Sequence, residues 1–218
     1  MENEFSQKNL KNRRIQTAIS LGAEMFLQHG IEEVKMTDIA EKSGVGVATL
    51  YRYFGTKSGL VTASMTFLWN DIRGLFSGVF ESEGFLAQSG IKQLRDLMRM
   101  YVVLYTAHKD FMRLLAEFDR FAANEIIQPE QMAEYERSII DFYPLLSSAY
   151  KKGTEDGTVR EGIDFSLFYL TYAHALMELC KKFVSGEVLA SDDFSNGEKE
   201  LEMLIDTAIY YLKNHPNN

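Results

Sequence analysis

The stretch TDIAEKSGVGVATLYRYFGTKSGL, residues 37–60, carries the local signals of two short helices joined by a tight turn. Thr37 has the hydroxyl of a helix N-cap, and Asp38 would place a negative charge in the first turn. Gly44 allows the left-handed backbone conformation that ends a helix sharply. A second helix is expected to begin at about Val47. The stretch therefore predicts a helix, a turn and a helix.

Apolar residues in this stretch have the spacing to face inward where the two helices cross. Helices near residues 38–43 and 47–53 would bring them together, and the small side chain of Ala40 would let the backbones approach closely. The residues are Ile39, Ala40, Val45, Leu50 and Phe54. Two helices crossed in this way form the helix-turn-helix of DNA-binding proteins. A plain helical hairpin within an all-α core is the alternative interpretation.

The outward face of the second helix has the chemistry of a major-groove reader. Val47 or Ala48 can contact a thymine methyl group, while Thr49 can reach a base edge or a phosphate. Arg52 can donate to a guanine or to the DNA backbone, and Tyr51 shares the same face. These side chains predict that the second helix reads base edges.

Thr56 is a second predicted N-cap, so the next helix would direct its positive end, its free amides and Lys57 towards one point. Such a point suits a phosphate oxygen. The complete set of predicted DNA contacts is Thr37, Val47, Ala48, Thr49, Tyr51, Arg52, Tyr53, Thr56 and Lys57.

The block T-D-I-A, S-G-V, T-L-Y-R-Y-F and T-K resembles the DNA-binding domain of the TetR family of transcriptional regulators. The resemblance extends upstream to Ile15, Ala18, Phe26 and Gly30 and covers roughly residues 12–60. It implies a homodimer that binds a double-stranded operator and holds a small effector molecule among its later helices. The recognition helices of the family often begin with Lys-Gly. Here Val47-Ala48 replaces that pair, which shifts the expected contacts towards methyl groups.

The composition is that of a soluble globular protein, with 46% hydrophobic and 25% charged residues. No apolar run is long enough to span a bilayer and no apolar signal segment is visible, so we expect a cytoplasmic protein without a membrane partner. Glycine-rich phosphate loops and nucleophile motifs are missing, which predicts no enzyme activity and no cofactor. Cys180, the sole cysteine, lies in an apolar segment and is expected to be a buried, unreactive thiol.

The charge is unevenly distributed along the chain. Residues 1–58 carry eight Lys and Arg against seven Asp and Glu, or about +1, whereas the remainder carries 15 against 24, or −9. Four of the cations cluster at Lys8 to Arg14, where an arm could follow a phosphate backbone. We therefore predict a DNA-binding domain at residues 1–58 and an acidic effector-binding and dimerisation domain at residues 59–218.

Helical periodicity continues through the rest of the chain and predicts an all-α fold of about nine helices, with a three-helix N-terminal domain and a larger helical bundle. The first helix is expected at about Lys8 to Gln28. The fifth is expected at residues 91–105, after a loop at 81–90. The seventh is expected to run from Pro129 to Lys152, with a kink at Pro144.

The predicted eighth helix, residues 164–184, is apolar on nearly every side and must be buried nearly all round. This helix and the last helix, from each of two subunits, would form a four-helix interface. The predicted interface residues are Phe168, Leu176, Leu179, Phe183, Leu201, Leu204, Ile205 and Ala208.

Aromatic and methionine side chains are dense in the body, where they can be plain core. In the light of the resemblance they are also candidates for an effector pocket that accepts a small hydrophobic or aromatic molecule. The candidates are Trp69, Met98, Tyr101, Tyr105, Met112, Phe118, Phe142, Tyr143, Tyr172 and His174. His174 and Glu178 are four residues apart, a spacing that metals use, but a hydrogen-bonding role is favoured and no metal site is predicted.

The sequence thus predicts a ligand-responsive transcriptional regulator, a repressor released from a near-palindromic operator by a small molecule. The alternative is a small-molecule-binding or enzymatic helical bundle that retains an unused helix-turn-helix scaffold. The small positive charge of residues 1–58 is what leaves room for this alternative.

Overall fold

A computed structural model describes residues 2–76, 78–186, 189 and 191–215, with side chains from residue 12 onwards. The described residues form twelve helices. Their bounds are Glu2–His29 (α1), Met36–Ser43 (α2), Val47–Phe54 (α3), Lys57–Phe76 (α4), Glu83–Leu86 (α5), Gly90–Met98 (α6), Met100–Ala107 (α7), Lys109–Asn124 (α8), Pro129–Ser138 (α9), Tyr143–Glu155 (α10), Phe165–Val184 (α11) and Gly197–Leu212 (α12). Val159 and Lys213 form an isolated antiparallel β-bridge. The all-α prediction is confirmed.

The chain divides into two compact units. The first unit comprises residues 1–75 and 114–140, and the second comprises residues 76–113 and 141–218. The first unit therefore includes α9 and most of α8 besides the four N-terminal helices. The functional boundary between a DNA-binding domain at residues 1–58 and an effector-binding domain at residues 59–218 stays a prediction.

The helix-turn-helix forms as its sequence predicts. Gly44 adopts a left-handed conformation with φ of 67° and ψ of 15°, which ends α2 and turns the chain towards α3. The five residues predicted to face inward, from Ile39 to Phe54, are all buried. The predicted core of the helix-turn-helix is therefore confirmed.

The start of α2 differs from the prediction. The helix begins at Met36, and Thr37 lies inside its first turn as an exposed residue. Asp38 supplies the capping contact instead, because its Oδ2 accepts a hydrogen bond of 2.9 Å from the backbone N–H of Lys35. A carboxylate at this position also interacts favourably with the positive end of the helix dipole.

The predicted helix from Pro129 to Lys152 is two helices rather than one kinked helix. α9 ends at Ser138, and Pro144 lies in the first turn of α10. In a continuous helix Pro144 would lack the N–H that bonds to the carbonyl of Ile140, and its ring would clash with that carbonyl, whereas the first turn of α10 tolerates it. Arg73 of α4 compensates the open end of α9, since its Nη2 donates to the carbonyl oxygens of Arg137, Ser138 and Ile139 at 2.6 to 3.1 Å.

Two further predictions are corrected in the second unit. The segment expected to be one helix at residues 91–105 is divided by a single turn residue, Arg99, into α6 and α7. The loop expected at residues 81–90 contains the short α5, which Ser82 caps through a hydrogen bond from the N–H of Phe85 to its hydroxyl oxygen, at 3.3 Å. These additional breaks explain why twelve helices replace about nine.

Close packing of α6 against α10 organises the second unit. A Cβ atom added at Gly90 would lie 2.1 Å from the backbone nitrogen of Gly153, so only glycine allows this approach. α11 begins where Asp164 accepts a hydrogen bond of 3.1 Å from the N–H of Leu167. α11 and α12 then bury Leu176, Leu201 and other apolar residues within the same unit.

Candidate nucleic-acid interface and effector cavity

α3 displays on its outer face the side chains that the sequence predicts to read DNA. Leu50 and Phe54 anchor its inner face, while Ala48, Tyr51 and Arg52 are exposed. Three others of the predicted set, Val47, Thr49 and Tyr53, are half-buried. The guanidinium of Arg52 lies 5.6 Å from the centre of the Tyr53 ring, an arrangement that leaves the cation at the surface.

The N-terminus of α4 forms the second part of this interface. Thr56 caps the helix as predicted, because its Oγ1 accepts a hydrogen bond of 3.2 Å from the N–H of Gly59. The Nζ of Lys57 donates to the carbonyl oxygen of Glu32 at 3.2 Å, which holds the ammonium beside the start of the helix. A helix N-terminus with an adjacent ammonium can bind a phosphate group.

The segment between α8 and α9, together with α9 itself, supports the end of α3 in a way that the sequence did not indicate. Gln131 donates from Nε2 to the carbonyl oxygen of Phe54 at 3.3 Å. Ser58 donates to the carbonyl oxygen of Ile126 at 3.4 Å. A Cβ at Gly59 would lie 2.0 Å from the Phe54 oxygen and 2.7 Å from Gln131 Nε2, so glycine is required there. Residues distant in sequence therefore fix the C-terminal end of the predicted recognition helix.

The predicted basic arm is only partly described. Arg13 and Arg14 are exposed on α1, whereas the side chains of Lys8 and Lys11 lie outside the described residues. Lys42 is exposed on α2 and forms a 3.4 Å ion pair with Glu24.

An aromatic cavity in the second unit is the counterpart of the predicted effector pocket. It has a volume of about 10 Å³ and is lined by Met98, Tyr101, Leu146, Phe165, Phe168, Tyr169, Tyr172, Ala173 and Leu176. Burial raises the pKa of the Tyr101 phenol well above its usual value, and burial also raises the pKa of Tyr169 and of Tyr172. The three phenols are therefore neutral at physiological pH.

The structure separates the ten predicted pocket residues. Met98, Tyr101 and Tyr172 line the cavity. Phe142 and Tyr143 lie beside it, since their rings are 6.0 Å from Tyr101 and 5.1 Å from Tyr169 respectively.

The other five candidates have different surroundings. Tyr105 packs its ring 5.7 Å from Phe183, Met112 is fully buried, and His174 is exposed on α11. Trp69 and Phe118 belong to the first unit. There Trp69 donates from Nε1 to the hydroxyl of Tyr135 at 3.3 Å, and the Phe118 ring lies 4.8 Å from that of Tyr135. Core packing accounts for this pair of residues.

Six lining residues were not predicted for the pocket, namely Leu146, Phe165, Phe168, Tyr169, Ala173 and Leu176. Most of them lie on α11, where positions 165, 169, 172 and 176 follow the spacing of one helical face. That spacing could have identified these residues as one face. Because apolar residues occupy most sides of the helix, the sequence did not show which face lines a cavity.

The predicted dimer residues are mostly core residues of one chain. Six of the eight are buried within the second unit: Phe168, Leu176, Phe183, Leu201, Ile205 and Ala208. Leu179 and Leu204 are half-buried. The six buried side chains are already covered by their own chain and are corrected to core positions.

A different set of apolar side chains on α11 and α12 is exposed. Leu167 is 62% exposed and Leu170 is 46% exposed on α11, while Met203 is 69% exposed and Tyr210 is 70% exposed on α12. We call these four residues the exposed α11–α12 face. The prediction failed because a helix apolar on every side does not reveal which face its own chain covers.

Cys180 is fully buried, and its thiol donates to the carbonyl oxygen of Tyr101 at 3.4 Å. Burial raises its pKa to about 12. The expectation of a buried thiol is confirmed, and its low reactivity stays a prediction, because the thiolate is the reactive form. Across the described residues no group of three His, Cys, Asp or Glu side chains could hold a metal ion, and Glu178 forms an ion pair of 2.8 Å with Lys181.

The fold and the interface define a class of protein: a helix-turn-helix DNA-binding protein with a helical body. No helix in the described part of the chain is long and apolar enough to cross a membrane. Residues 18–63 match the family model described as bacterial regulatory proteins, tetR family. The chain is 21% identical over 159 residues to the HTH-type transcriptional repressor KstR2 of Rhodococcus jostii (strain RHA1), covering 73% of this chain and 74% of the relative. Residues 18–63 thus match the TetR-family DNA-binding region, and the fold of the chain is similar to that of a regulator from Rhodococcus sp. assigned to the TetR family (TM-score 0.66, 18% identity).

Solved structures with the same fold include proteins with bound ligands. A transcriptional regulator from Saccharomonospora viridis in complex with choline has a TM-score of 0.68 at 13% identity, covering 95% of this chain and 100% of that chain. FadR from Bacillus subtilis in complex with stearoyl-CoA has a TM-score of 0.61 at 14% identity, covering 90% of this chain and 98% of that chain.

Proposed function

We propose that this protein is a homodimeric, ligand-responsive repressor of transcription that binds a near-palindromic operator in the cytoplasm. The observation that carries the proposal is the geometry of α3 and α4. An exposed helix face with Ala48, Tyr51 and Arg52 lies next to a capped helix N-terminus that holds Lys57. The first can read base edges and the second can bind a phosphate, which together make a DNA-binding site.

The second copy of the chain supplies the other half of the site. Residues 1–58 have almost no net charge, so a single DNA-binding domain gains little affinity from counterion release. Two DNA-binding domains spaced by about 34 Å would contact successive major grooves of one operator. The exposed α11–α12 face supports this assembly, because four large apolar side chains on adjacent helices favour burial against a partner.

The effector is proposed to be a small hydrophobic or aromatic molecule that enters the aromatic cavity of the second unit. The free volume of about 10 Å³ is too small for such a molecule, so binding must displace side chains. Tyr169 and Tyr172 are the candidates for displacement, because both are only half-buried. A ligand that fits only the displaced arrangement would shift the protein between two states by its differential affinity for them.

The experiment that tests the proposal is a binding assay with the DNA upstream of the gene itself at two salt concentrations. Fluorescence anisotropy should give tight binding at low salt and a linear loss of log affinity with log salt concentration. Arg52→Ala should weaken binding, and Lys42→Ala is the matched control because that cation lies on α2 in an ion pair with Glu24. Lack of DNA binding at either salt concentration would instead favour a helical bundle that only binds or converts a small molecule.

A further inference from the structure

A second, chemically different groove lies in the first unit. It has a volume of about 430 Å³, and α1, α3, α4 and α9 all contribute to it. This volume is within the range of small-molecule sites. The groove is formed by the elements that carry the recognition helix, whereas the proposed effector cavity belongs to the second unit.

The lining of this groove combines apolar side chains with carboxamides, hydroxyls and one carboxylate. The buried Phe54 and the half-buried Phe67 contribute to the apolar part. The carboxamides of Gln16, Asn70 and Gln131 and the carboxylate of Glu134 contribute to the polar part. Among the described residues that line the groove, Glu134 is the one charged side chain.

This combination suits one class of ligand. An ammonium group donates three hydrogen bonds and accepts none, which matches amide and carboxylate oxygens. The single negative charge of Glu134 favours a cation, and the aromatic rings of the lining favour a cation with a small apolar group. A carboxylate ligand of the same size would face Glu134 without any cationic side chain to offset the repulsion.

Gln131 connects the groove to α3. Its Nε2 donates to the carbonyl oxygen of Phe54, the last residue of α3, so its Oε1 is the amide atom left to accept from a ligand. A donor on Oε1 polarises the amide and strengthens the bond that Nε2 makes. A ligand bound in this way would hold Gln131 in its contact with the recognition helix.

We propose that the groove between α1, α3, α4 and α9 is a binding site for a small organic ammonium ion, with Glu134 as its counter-ion and Gln131 as its second acceptor. The groove lies in the first unit, whereas the aromatic cavity lies in the second unit. Occupancy of the groove stabilises the first unit, because a ligand that binds only the folded state raises the stability of that state.

The test uses the full chain without DNA and two matched probes, phenethylammonium and 3-phenylpropionate, in isothermal titration calorimetry. Phenethylammonium should bind with one site per chain and raise the melting temperature, while 3-phenylpropionate should not bind at the same concentration. Glu134 is exposed and its ion pair is screened by solvent, so Glu134→Gln should weaken phenethylammonium binding by about two- to fivefold. Gln131→Ala should weaken it to a smaller degree.

Two control variants make the result specific. Glu136→Gln changes an exposed carboxylate on the same helix that does not line the groove, and it should leave the affinity unchanged. Glu161→Gln removes an exposed carboxylate of the second unit and should also leave the affinity unchanged. Equal binding of the two probes, no binding of phenethylammonium, or equal affinities of Glu134→Gln and Glu136→Gln would each overturn the proposal. Because no DNA is present, these outcomes do not depend on whether the protein is a repressor.

Discussion

The carboxylate of Glu117 on α8 caps the end of α1, since its Oε1 accepts a hydrogen bond of 2.7 Å from the backbone N–H of Ile31. The two residues are 86 positions apart in the sequence. Gly30, immediately before Ile31, has φ of 81°, and a Cβ there would lie 3.1 Å from the other oxygen of Glu117. The contact therefore ties the first helix of the DNA-binding region to a segment far along the chain.

Glu117→Ala should lower the free energy of unfolding by about 1–3 kcal/mol, because the half-buried N–H of this turn would lose a charged acceptor. Urea unfolding followed by the fluorescence of Trp69, the single tryptophan, measures this change in the first unit. Glu125→Ala is the control, since it removes an exposed carboxylate just beyond α8 and should change stability by no more than about 0.5 kcal/mol. Equal stability of the two variants would remove the structural role of the cap.

Lys57→Ala should weaken binding to every DNA sequence to a similar degree. The ammonium lies at the N-terminus of α4, where a phosphate is the expected partner. The plot of log affinity against log salt concentration should therefore become less steep, by about 1 for each bound DNA-binding domain. Titrations at several salt concentrations with operator and random DNA measure the slope. An unchanged slope in Lys57→Ala, or an equal decrease in Lys42→Ala, would contradict the assignment.

Tyr51→Ala should cost more affinity on the operator than on random DNA. The ring is exposed on the outer face of α3 and is expected to contact base edges, a contact that discriminates by about 1–3 kcal/mol. Competition between labelled operator and unlabelled random DNA measures the specificity ratio. Equal losses on both sequences would make Tyr51 a backbone contact instead.

The double variant Leu167→Glu and Met203→Glu should be monomeric. Both side chains belong to the exposed α11–α12 face, and two carboxylates there would be buried without partners in a dimer. Light scattering at several protein concentrations measures the mass. Ile126→Glu is the control, because Ile126 is 86% exposed in the first unit, and this variant should keep the mass of the unmodified protein. A persistent dimer in the double variant would place the interface elsewhere.

Cys180 predicts a specific loss of stability at high pH. Below the ordinary thiol pKa of about 8.5 the group is neutral in the folded and the unfolded chain, so it contributes no pH dependence. Above that pH only the unfolded chain ionises, because burial holds the folded pKa at about 12. Stability should therefore fall with rising pH, by about 1 kcal/mol from this residue at pH 9.5.

Cys180→Ala should remove this part of the pH dependence, which urea unfolding at pH 8 and pH 9.5 can measure. Alkylation by iodoacetamide gives an independent check at pH 8. The native thiol should react only through the small population of unfolded molecules, far more slowly than the thiol of the urea-unfolded protein, whereas equally fast alkylation of the native state would contradict its burial.

The sequence by itself determined the helix-turn-helix. Gly44 needs a left-handed conformation, Thr56 has a capping hydroxyl, and Ile39 to Phe54 repeat at helical spacing, all of which are signals that act within a few residues. Local signals of this kind also located most helices, although they misplaced the cap at Thr37 and missed the separation before Pro144.

Tertiary structure alone decided the contacts that make these elements a site. The bonds from Gln131 to Phe54 and from Ile31 to Glu117 join segments 77 and 86 positions apart, and no periodicity in the sequence encodes such a pairing. The same holds for α11, in which apolar residues occupy most sides, so that its sequence alone did not show which face is buried. Only its packing within the second unit covered Phe168 and Leu176, lined the aromatic cavity, and left Leu167 and Leu170 exposed.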